Sequence, residues 1–429
     1  MASRITTLLT GSAAATAVGL SLLAAPAAVA QQAAPQTAPQ PGTANTADVA
    51  VQDTAASSQA EAPLLIGHRG AAGTAPENTV AAFKDGRASG ADFFEIDVQL
   101  SADGVPFLFH DDTPARTTNV EGVFPDRAHD PITSFTWAEL QQLDAGAYFG
   151  EEFAGERIPH LDDAARVATI ETGVYIEIKS PKNSPGIEQL VAEELRTDKK
   201  WQKLVAADKI QVLSFDEASN RTFASIAPEI ELQQLSSTVP GSETLAQWAE
   251  YADSVGTNYR TLTAQNVADV KAAGLVIGVY TANSPEAVQH SIDLGVDAVT
   301  GDFPIQTARY LAGGKPFPSA NGVEIVDSVN NPAGSDVQAE TGEHVLLRNT
   351  TGRSIEVSGS IIRDAANNIL AIGDGYVLAP GGELRVYTGP GTNTAESFYN
   401  DGTASVLNNG GDSVALWTPQ GQLQDVFAN

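Results

Sequence analysis

The sequence predicts a TIM (β/α)8 barrel over residues 63–315, followed by an all-β sandwich over residues 324–429. Two observations predict the barrel: apolar, β-branched runs alternate with helical stretches, and the alternation lasts for the usual length of such a barrel. A third observation predicts the sandwich. The helical signal fades after a Pro- and Gly-containing break at 315–322, and short strands then alternate with Gly, Asn and Pro turns.

Nine candidate strands fall within the barrel region, so at least one is wrongly assigned or lies outside an eight-stranded barrel. The chain between Val98 and Pro106 is too short for a helical crossover. We therefore expect a hairpin around Asp103-Gly104 or an extended return there. The nine candidates are Leu64–Gly67, Phe93–Val98, Pro106–His110, Val174–Lys179, Ile210–Phe215, Glu231–Leu235, Asp253–Gly256, Leu275–Thr281 and Asp297–Thr300.

Helices are expected between the barrel strands, and only strands are expected beyond the barrel. The candidate helices are Glu77–Ser89, Thr136–Leu143, Leu161–Thr169, Gly186–Leu195, Asp216–Ser225, Thr263–Ala273 and Pro285–Leu294. The candidate strands of the sandwich are His344–Asn349, Glu356–Ile362, Tyr376–Leu378, Glu383–Thr388 and Ser413–Trp417. Pro76-Glu77-Asn78-Thr79 opens the first helix, and we interpret Glu77 and Asn78 as part of its N-terminal cap. Orientation of a catalytic histidine by Glu77 is the alternative.

The N-terminal part of the chain is expected to lie outside the folded domains. Residues 1–30 form a predicted signal peptide, because Arg4 precedes an Ala- and Leu-rich run that ends in the small-x-small sequence Ala-Val-Ala at 28–30. Residues 31–62 are rich in Ala, Gln, Pro and Thr and lack apolar periodicity, which indicates a disordered linker. No later segment is apolar enough to insert stably in a membrane. We expect a secreted protein, extracellular or periplasmic.

Composition excludes several classes of site and partner. The chain has no cysteine, so it forms no disulfide, zinc-thiolate centre or cysteine nucleophile. Asp and Glu number 53 against 24 Lys and Arg, and the formal charge of −29 repels nucleic acids and anionic membranes. The same charge favours divalent cations, although a solubilising surface accounts for most of it.

Polar residues stand at the ends of four predicted strands, where the active site of a barrel lies. They are, in chain order, His68, Arg69, Glu95, Asp97, His110, Glu177 and Lys179. Glu95 and Asp97 are two residues apart and therefore point to one face of their strand, and Glu177-x-Lys179 repeats this spacing. Two such pairs, each within an apolar strand, favour a functional site over a solvated strand face.

The carboxylates predict a metal site. Glu95 and Asp97 would repel each other inside a barrel and resist desolvation, and a bound cation removes that cost. Glu177 can supply a third ligand, and Lys179 can contact a phosphate. A set of oxygen ligands suits Mg²⁺ or Ca²⁺ better than Zn²⁺.

His68 and His110 are the candidate proton-transfer residues. A single histidine in a strand is more often structural, but two at strand ends beside a carboxylate cluster are more often catalytic. We interpret the other histidines as structural or surface residues. They are His129, His160, His290 and His344.

These stretches, in this order, resemble the glycerophosphodiester phosphodiesterase family over residues 63–315. The matching stretches are His68-Arg69-Gly70, Pro76-Glu77-Asn78-Thr79, Glu95-Ile96-Asp97-Val98, Asp103-Gly104-Val105-Pro106, His110-Asp111 with Arg116-Thr117-Thr118, and Glu177-Ile178-Lys179, with weaker echoes at 213–215, 279–283 and 297–304. Each stretch alone is weak, and their joint occurrence is specific. His160 and Ala282 depart from the family, which often has Thr and a β-branched residue there.

The resemblance implies a metal-dependent TIM-barrel enzyme for small-molecule glycerophosphodiesters. Such enzymes hydrolyse deacylated phospholipids to glycerol 3-phosphate and an alcohol such as choline or ethanolamine. The resemblance also implies that Glu95, Asp97 and Glu177 bind one divalent cation, Mg²⁺ or Ca²⁺.

Roles for the basic residues follow from the same resemblance. It implies that His68 and His110 are the acid–base pair, and that Arg69 and Lys179 hold the phosphate. Which histidine acts first is left open, as is the nucleophile, which is either a glycerol hydroxyl or water.

The C-terminal region resembles the lamin-tail domain, an immunoglobulin-like sandwich. The matching segments are Asn331-Pro332-x-Gly334-x-Asp336, Val345–Asn349, Leu378–Gly382 and Asn409–Leu416. Over 324–429 acidic residues number 13 and basic residues 4, which disfavours nucleic-acid binding. We expect a contact with a cell surface or another protein, and a passive stabilising appendage is the alternative.

Two other functions share parts of this pattern. Barrel phospholipases of the sphingomyelinase D or lysophospholipase D type have two histidines and a Glu-x-Asp pair, but they need an apolar rim that faces a membrane. A non-catalytic, secreted binding protein on the same barrel would usually have lost a histidine or a carboxylate, and all of them are present here.

Overall fold

The computed structural model describes residues 62–317 and 322–429. The predicted signal peptide and the predicted linker, apart from its last residue, lie outside the described residues. Within these two ranges, no helix has the length and apolar character that crossing a membrane requires.

Nine strands form the first sheet, and eight of them close into the predicted barrel. The nine are β1 (Leu64–Gly67), β2 (Phe93–Leu100), β3 (Pro106–Leu108), β4 (Gly173–Ile178), β5 (Ile210–Ser214), β6 (Glu231–Ser236), β7 (Ser254–Asn258), β8 (Val276–Tyr280) and β9 (Ala298–Gly301). All except β3 are parallel to their neighbours, and β1 closes the barrel by pairing with both β2 and β9. The TIM-barrel prediction is confirmed.

Strand β3 is the surplus one among the nine candidate strands, and it lies outside the barrel. It pairs antiparallel with β2, with Val98 opposite Leu108 and Leu100 opposite Pro106. Gly104, with φ +80°, donates its main-chain N–H to the carbonyl of Ser101 at 2.9 Å. The short link is therefore the predicted hairpin.

The pleat of β2 and β4 explains why carboxylates point into the barrel. Every residue of both strands is buried, as expected of parallel strands covered on both faces. Phe93 and Tyr175 pack in the apolar cluster inside the barrel. Because side chains alternate between faces, Glu95 and Asp97 point inward with Phe93, and Glu177 points inward with Tyr175.

Eleven α-helices lie in the described part of the chain. They are α1 (Val80–Ala88), α2 (Val120–Val123), α3 (Trp137–Leu140), α4 (Leu161–Val167), α5 (Ile187–Thr197), α6 (Lys199–Val205), α7 (Glu217–Ile226), α8 (Ser242–Trp248), α9 (Ala264–Ala272), α10 (Pro285–Leu294) and α11 (Pro304–Leu311). Helices α2, α6, α8 and α11 were not predicted. Each has eight residues or fewer, a length over which a helical apolar period is hard to recognise, although the equally short α3 and α4 were found within longer candidates.

The segment between β2 and β4, residues 101–172, contains β3, α2, α3 and α4. It has an apolar core of its own that includes Ile132, Phe135, Leu140 and Leu143. A separate core allows this long excursion to hold a defined shape, and His110 stands at its start.

The C-terminal region is all β, as predicted. Its strands are β10 (Val323–Val329), β11 (His344–Asn349), β12 (Ile355–Glu356), β13 (Ile361–Asp364), β14 (Ile369–Ala371), β15 (Val377–Leu378), β16 (Glu383–Tyr387), β17 (Ser397–Tyr399), β18 (Ser413–Trp417) and β19 (Leu423–Ala428). Two four-stranded sheets, β10-β11-β16-β17 and β14-β13-β18-β19, and the pair β12-β15 contribute to one core. In that core Val345 and Leu384 of the first sheet accompany Ile362 and Val414 of the second.

One predicted strand of the sandwich is wrong. Residues 356–362 do not form a single strand, because the chain turns between β12 and β13 at Gly359, with φ +72°. Strands β10, β14, β17 and β19 were not predicted.

Asp425 on β19 makes the stability of the sandwich sensitive to pH. Burial raises the pKa of Asp425 to about 7, although the main-chain N–H of Ile325 donates to its carboxylate at 2.7 Å. The folded state therefore binds a proton more tightly than the unfolded state, and stability falls as pH rises from about 4 to about 7.

We predict that Asp425→Asn, which keeps an acceptor for Ile325, stabilises the domain by on the order of 1–3 kcal/mol at pH 8. The gain should shrink towards pH 4, and unfolding midpoints across this pH range measure it. Asp374→Asn removes a charge from an exposed position and is the control. An equal, pH-independent effect of both variants would contradict the assignment.

Candidate active site

The predicted polar residues converge on a cavity of about 270 Å³ at the carboxyl ends of the barrel strands. Six of the seven line it: His68, Arg69, Glu95, His110, Glu177 and Lys179. The seventh, Asp97, lies beneath them and is 1% exposed. The structure thus brings the seven strand-end residues together in one place.

Three carboxylates form a tight buried cluster at the base of this cavity. One oxygen each from Glu95, Asp97 and Glu177 lie within 4.8 Å of one another. Oε1 of Glu95 and Oδ1 of Asp97 are buried and have no hydrogen-bond partner among the described residues. Buried oxygens are rarely left without partners, so the cluster has the donor set that a hard cation requires.

The protonation of this cluster reflects burial and mutual repulsion. Burial, and then the charge of Asp97, raises the pKa of Glu177 to about 7. Burial also raises the pKa of Glu95 well above its usual value. For Asp97, burial is outweighed by the nearby charges of His110 and Lys179, which hold its pKa low. The protein's own cations thus compensate Asp97 more fully than they compensate the two glutamates.

Arg69 and Lys179 place two positive charges at the edge of the carboxylates. Nζ of Lys179 lies 3.0 Å from Oε1 of Glu177 and 3.7 Å from Oδ1 of Asp97. Nε of Arg69 lies 3.6 Å from Oδ2 of Asp97. Both side chains also line the cavity, so their positive charges are accessible from it.

Glu77 and Asn78 do not cap helix α1, which corrects the sequence interpretation. The N-cap is Thr79, whose hydroxyl accepts from the main-chain N–H of Ala82. Asn78 has φ +53°, and this left-handed conformation turns it towards the barrel. Its Nδ2 donates to Oδ2 of Asp97 at 2.7 Å, and its Oδ1 accepts from the Asp97 main-chain N–H at 3.0 Å.

Glu77 is the centre of an arginine network. Arg69 donates to its Oε1 at 2.8 Å, and Arg116 donates to both its oxygens at 2.7 and 2.9 Å. Burial alone would raise the pKa of Glu77, but the two arginines outweigh burial and lower it to about 2. Arg116 also donates to both oxygens of Asp111, which in turn contacts His110. The hydrogen-bonded route from Glu77 to His110 thus runs through Arg116 and Asp111, and a carboxylate oxygen of Glu77 also lies within 4.8 Å of a ring nitrogen of His110.

Each candidate catalytic histidine has a carboxylate at Nδ1. The distance is 2.6 Å from His68 to Oδ1 of Asp302, and 2.8 Å from His110 to Oδ1 of Asp111. Because a carboxylate accepts hydrogen bonds, each Nδ1 carries the hydrogen, which leaves Nε2 for the cavity. Burial, and then the charge of Arg69, lowers the pKa of His110.

Sequence reasoning gave no role to three of these supporting residues. Asp111 directly follows a predicted histidine and Arg116 lies in a matching stretch, but neither was assigned a partner. Asp302 follows Gly301, the last residue of β9, so the strand-end rule could have found it.

His160 lies away from the cavity. It is the N-cap of α4, where its Nδ1 accepts from the main-chain N–H of Asp162 at 3.1 Å. This geometry agrees with its interpretation as a structural residue.

The remaining cavity wall is mainly apolar, aromatic or glycine, with Gln233, Thr281 and Thr300 as its polar members. The rings of Phe215 and Tyr280 meet edge to face, with centroids 5.8 Å apart. Gly256 and Gly278 contribute main chain to the lining. A Cβ at Gly256 would lie 2.6 Å from Leu235, whereas a Cβ at Gly278 would meet no heavy atom closer than 3.4 Å.

The site suits the cleavage of an anionic ester, in which one proton is taken from the attacking hydroxyl and another is given to the departing oxygen. Paired imidazoles can take and give protons, while the cationic groups meet negative oxygen atoms. The fold and the site therefore define a barrel-type phosphodiester hydrolase.

Comparison with protein families agrees with this class. The model of the glycerophosphoryl diester phosphodiesterase family matches residues 68–306, which is more than half of the chain. The chain therefore belongs to that family of enzymes. The Lamin Tail Domain model matches residues 316–429, so a lamin-tail domain follows the barrel.

Individual relatives cover the barrel. A glycerophosphodiester phosphodiesterase of Caldanaerobacter subterraneus subsp. tengcongensis is 35% identical over 246 residues, 56% of this chain and 94% of that protein. One from Bacillus subtilis is 29% identical over 255 residues, 56% of this chain and 84% of that protein. A crystal structure from Galdieria sulphuraria, described under the same enzyme name, has a TM-score of 0.51 and 22% identity, covers 59% of this chain and 100% of that one, and supports the fold alone.

We predict that Arg116→Lys lowers kcat/KM roughly 10- to 100-fold, because a single ammonium cannot reproduce the paired hydrogen bonds that the guanidinium makes to both oxygens of Glu77 and of Asp111. Steady-state kinetics measures the change. Arg127→Lys is the matched control, since Arg127 also binds two carboxylates, Asp130 and Glu139, in the same segment. If the two variants have equal kcat/KM, Arg116 does not help to orient His110.

Proposed function

We propose that this protein is a secreted glycerophosphodiester phosphodiesterase that releases glycerol 3-phosphate and a small alcohol, using one Mg²⁺ or Ca²⁺. One observation carries the proposal. Glu95 and Glu177, which lie above Asp97, line one cavity together with the two carboxylate-bonded histidines, Arg69 and Lys179. Within the described part of the chain, Oε1 of Glu95 and Oδ1 of Asp97 have no hydrogen-bond partner. The secreted location is supported by the sequence of residues 1–30 alone.

The size of the cavity favours a deacylated substrate over an intact lipid. A volume of about 270 Å³ is at the lower end of ligand pockets, which leaves little room for acyl chains. This favours glycerophosphodiesters over the lipid substrates of a sphingomyelinase D or lysophospholipase D.

The donor set fits a divalent cation. Glu95, Asp97 and Glu177 would hold it, and their all-oxygen chemistry suits Mg²⁺ or Ca²⁺. When bound, the cation supplies Lewis-acid polarisation of a phosphoryl oxygen.

The chain's own residues bind and orient the substrate. Arg69 and Lys179 face the non-bridging oxygens of the diester and stabilise the negative charge that grows on them during displacement. The φ of Arg69 is +49°, a conformation that a non-glycine residue rarely adopts and that is common at functional sites. Its main-chain N–H donates to Oε2 of Glu95 at 2.7 Å, which ties the phosphate contact to the carboxylate cluster.

The two histidines move the protons. Nε2 of one ring accepts the proton of the attacking hydroxyl, and the other ring donates a proton to the departing alkoxide. Asp302 and Asp111 keep His68 and His110 in the required tautomer and stabilise the charged ring. If a glycerol hydroxyl attacks, a cyclic phosphate forms and water then opens it. Direct attack by water gives the same final products.

We predict that isothermal titration detects one Mg²⁺ or Ca²⁺ per chain, and that chelator abolishes activity. Glu95→Gln or Asp97→Asn should weaken binding by at least about tenfold, because each removes a charged ligand. Glu121→Gln changes an exposed carboxylate and is the control. Unchanged affinity in the two cluster variants would exclude this cluster as the cation site.

We predict a bell-shaped dependence of kcat/KM on pH, because one imidazole must be neutral while the other is charged. His68→Ala and His110→Ala should each lower kcat by roughly 10²- to 10⁴-fold and remove one limb of the profile. His290→Ala, at an exposed position of α10, should behave as wild type. Full turnover by His110→Ala would defeat the acid–base assignment.

A further inference from the structure

The lamin-tail domain contacts the residues that hold His68. Its strand β18 begins at Ser413, whose Oγ accepts from Nδ2 of Asn283 at 2.8 Å. The same nitrogen donates to Oδ2 of Asp302, and the Asp302 main-chain N–H donates to Oδ1 of Asn283 at 2.8 Å. Oδ1 of Asp302 lies 2.6 Å from Nδ1 of His68. Three hydrogen-bonded steps therefore lead from the C-terminal domain to the imidazole.

Burial makes each of these bonds matter. Asn283, Ser413 and Asp302 are 5%, 7% and 8% exposed, so solvent does not readily replace a missing partner. An asparagine amide has two N–H donors and one oxygen acceptor. Asp302 accepts one donor and supplies the N–H for the oxygen, and Ser413 accepts the second donor. Without the Ser413 hydroxyl, a buried N–H beside the carboxylate would have no partner.

Apolar packing fixes the same junction. Phe303, which follows Asp302 in the chain, lies in a buried cluster with Ala415 of β18 and Val426 of β19. The main chain that carries the carboxylate is thus clamped against the sheet that carries the serine.

A second contact reaches the other side of the active site. Arg363 of β13 donates to the carbonyl of Phe149 at 3.0 Å and lies 4.2 Å from the centre of its ring. The neighbouring Tyr148 accepts the main-chain N–H of Glu77 at 3.1 Å through its hydroxyl. The lamin-tail domain therefore contacts the sequence neighbour of Tyr148, whereas the Ser413 branch leads to His68 itself and is the more direct.

We propose that the lamin-tail domain is part of the catalytic apparatus, with Ser413 as a positioning residue that acts on His68 through Asn283 and Asp302. The inference rests on the proposed role of His68 in proton transfer. It goes beyond a cell-surface contact or a passive appendage, because neither requires a buried hydroxyl of this domain to complete the hydrogen bonding of a barrel amide.

The test uses the full chain with glycerophosphocholine and glycerophosphoethanolamine, each with Mg²⁺ and with Ca²⁺. Ser413→Ala should lower kcat about fivefold or more, the effect of one lost hydrogen bond and a misplaced imidazole, with KM unchanged because the phosphate contacts remain. Ser413→Thr keeps a hydroxyl and should retain the wild-type kcat. Ser358→Ala is the matched control, since the Ser358 hydroxyl accepts from the main-chain N–H of Tyr376 within the same domain.

The outcomes separate this inference from the proposed function. If Ser413→Ala has the same kcat as Ser358→Ala, the positioning role is overturned. The proposed function is still upheld in that case, provided that wild type is active and His68→Ala is inactive. Equal losses in Ser413→Ala and Ser413→Thr would also overturn it, because a hydroxyl at position 413 would then not be what sustains kcat. Wild type that hydrolyses neither diester, or His68→Ala that retains full turnover, would overturn both.

Discussion

The buried negative charge of Glu95, Asp97 and Glu177 is the constraint around which the rest of the site is arranged. Three carboxylates inside a barrel cost several kcal/mol each in desolvation unless cations and hydrogen bonds compensate them. Arg69 and Lys179 supply part of that compensation, at 3.6 Å and 3.0 Å from carboxylate atoms, and two carboxylate oxygens still have no hydrogen-bond partner among the residues that the structure describes. The same residues then face the cavity, so the groups that make the carboxylates tolerable are those that can receive a phosphate.

Much of the barrel could be predicted from the sequence because its periodicity is local. A buried parallel strand such as β2 is apolar on both faces, so its polar exceptions are visible without any tertiary information. The failures also have local causes. The turn at Gly359 lies within an otherwise strand-like run, and helices as short as α2 and α8 do not repeat long enough to show a period.

The candidate site also contains some residues that the sequence could predict and others that it could not. Residues at strand ends could be predicted to converge, because all strand ends of a parallel barrel meet at one rim. Asn78 could not be separated from a helix cap, since the cap signal is a residue type and the deciding feature is its φ of +53°. Asp302 and Ser413 could not be paired with His68 at all. Their sequence separations are long, and only the closure of β9 on β1 and the docking of β18 bring them together.

The glycines in the cavity wall affect how much space the cavity offers to a bound molecule. Where main chain forms the lining, the available space does not change with side-chain rotamers. The width of the cavity is therefore fixed there. Gly256 leaves no space for a methyl group, but a Cβ at Gly278 would make ordinary contacts at 3.4 Å with Ala298 and Gln233. Position 278 is therefore a place where one added methyl group can narrow the cavity without moving the barrel.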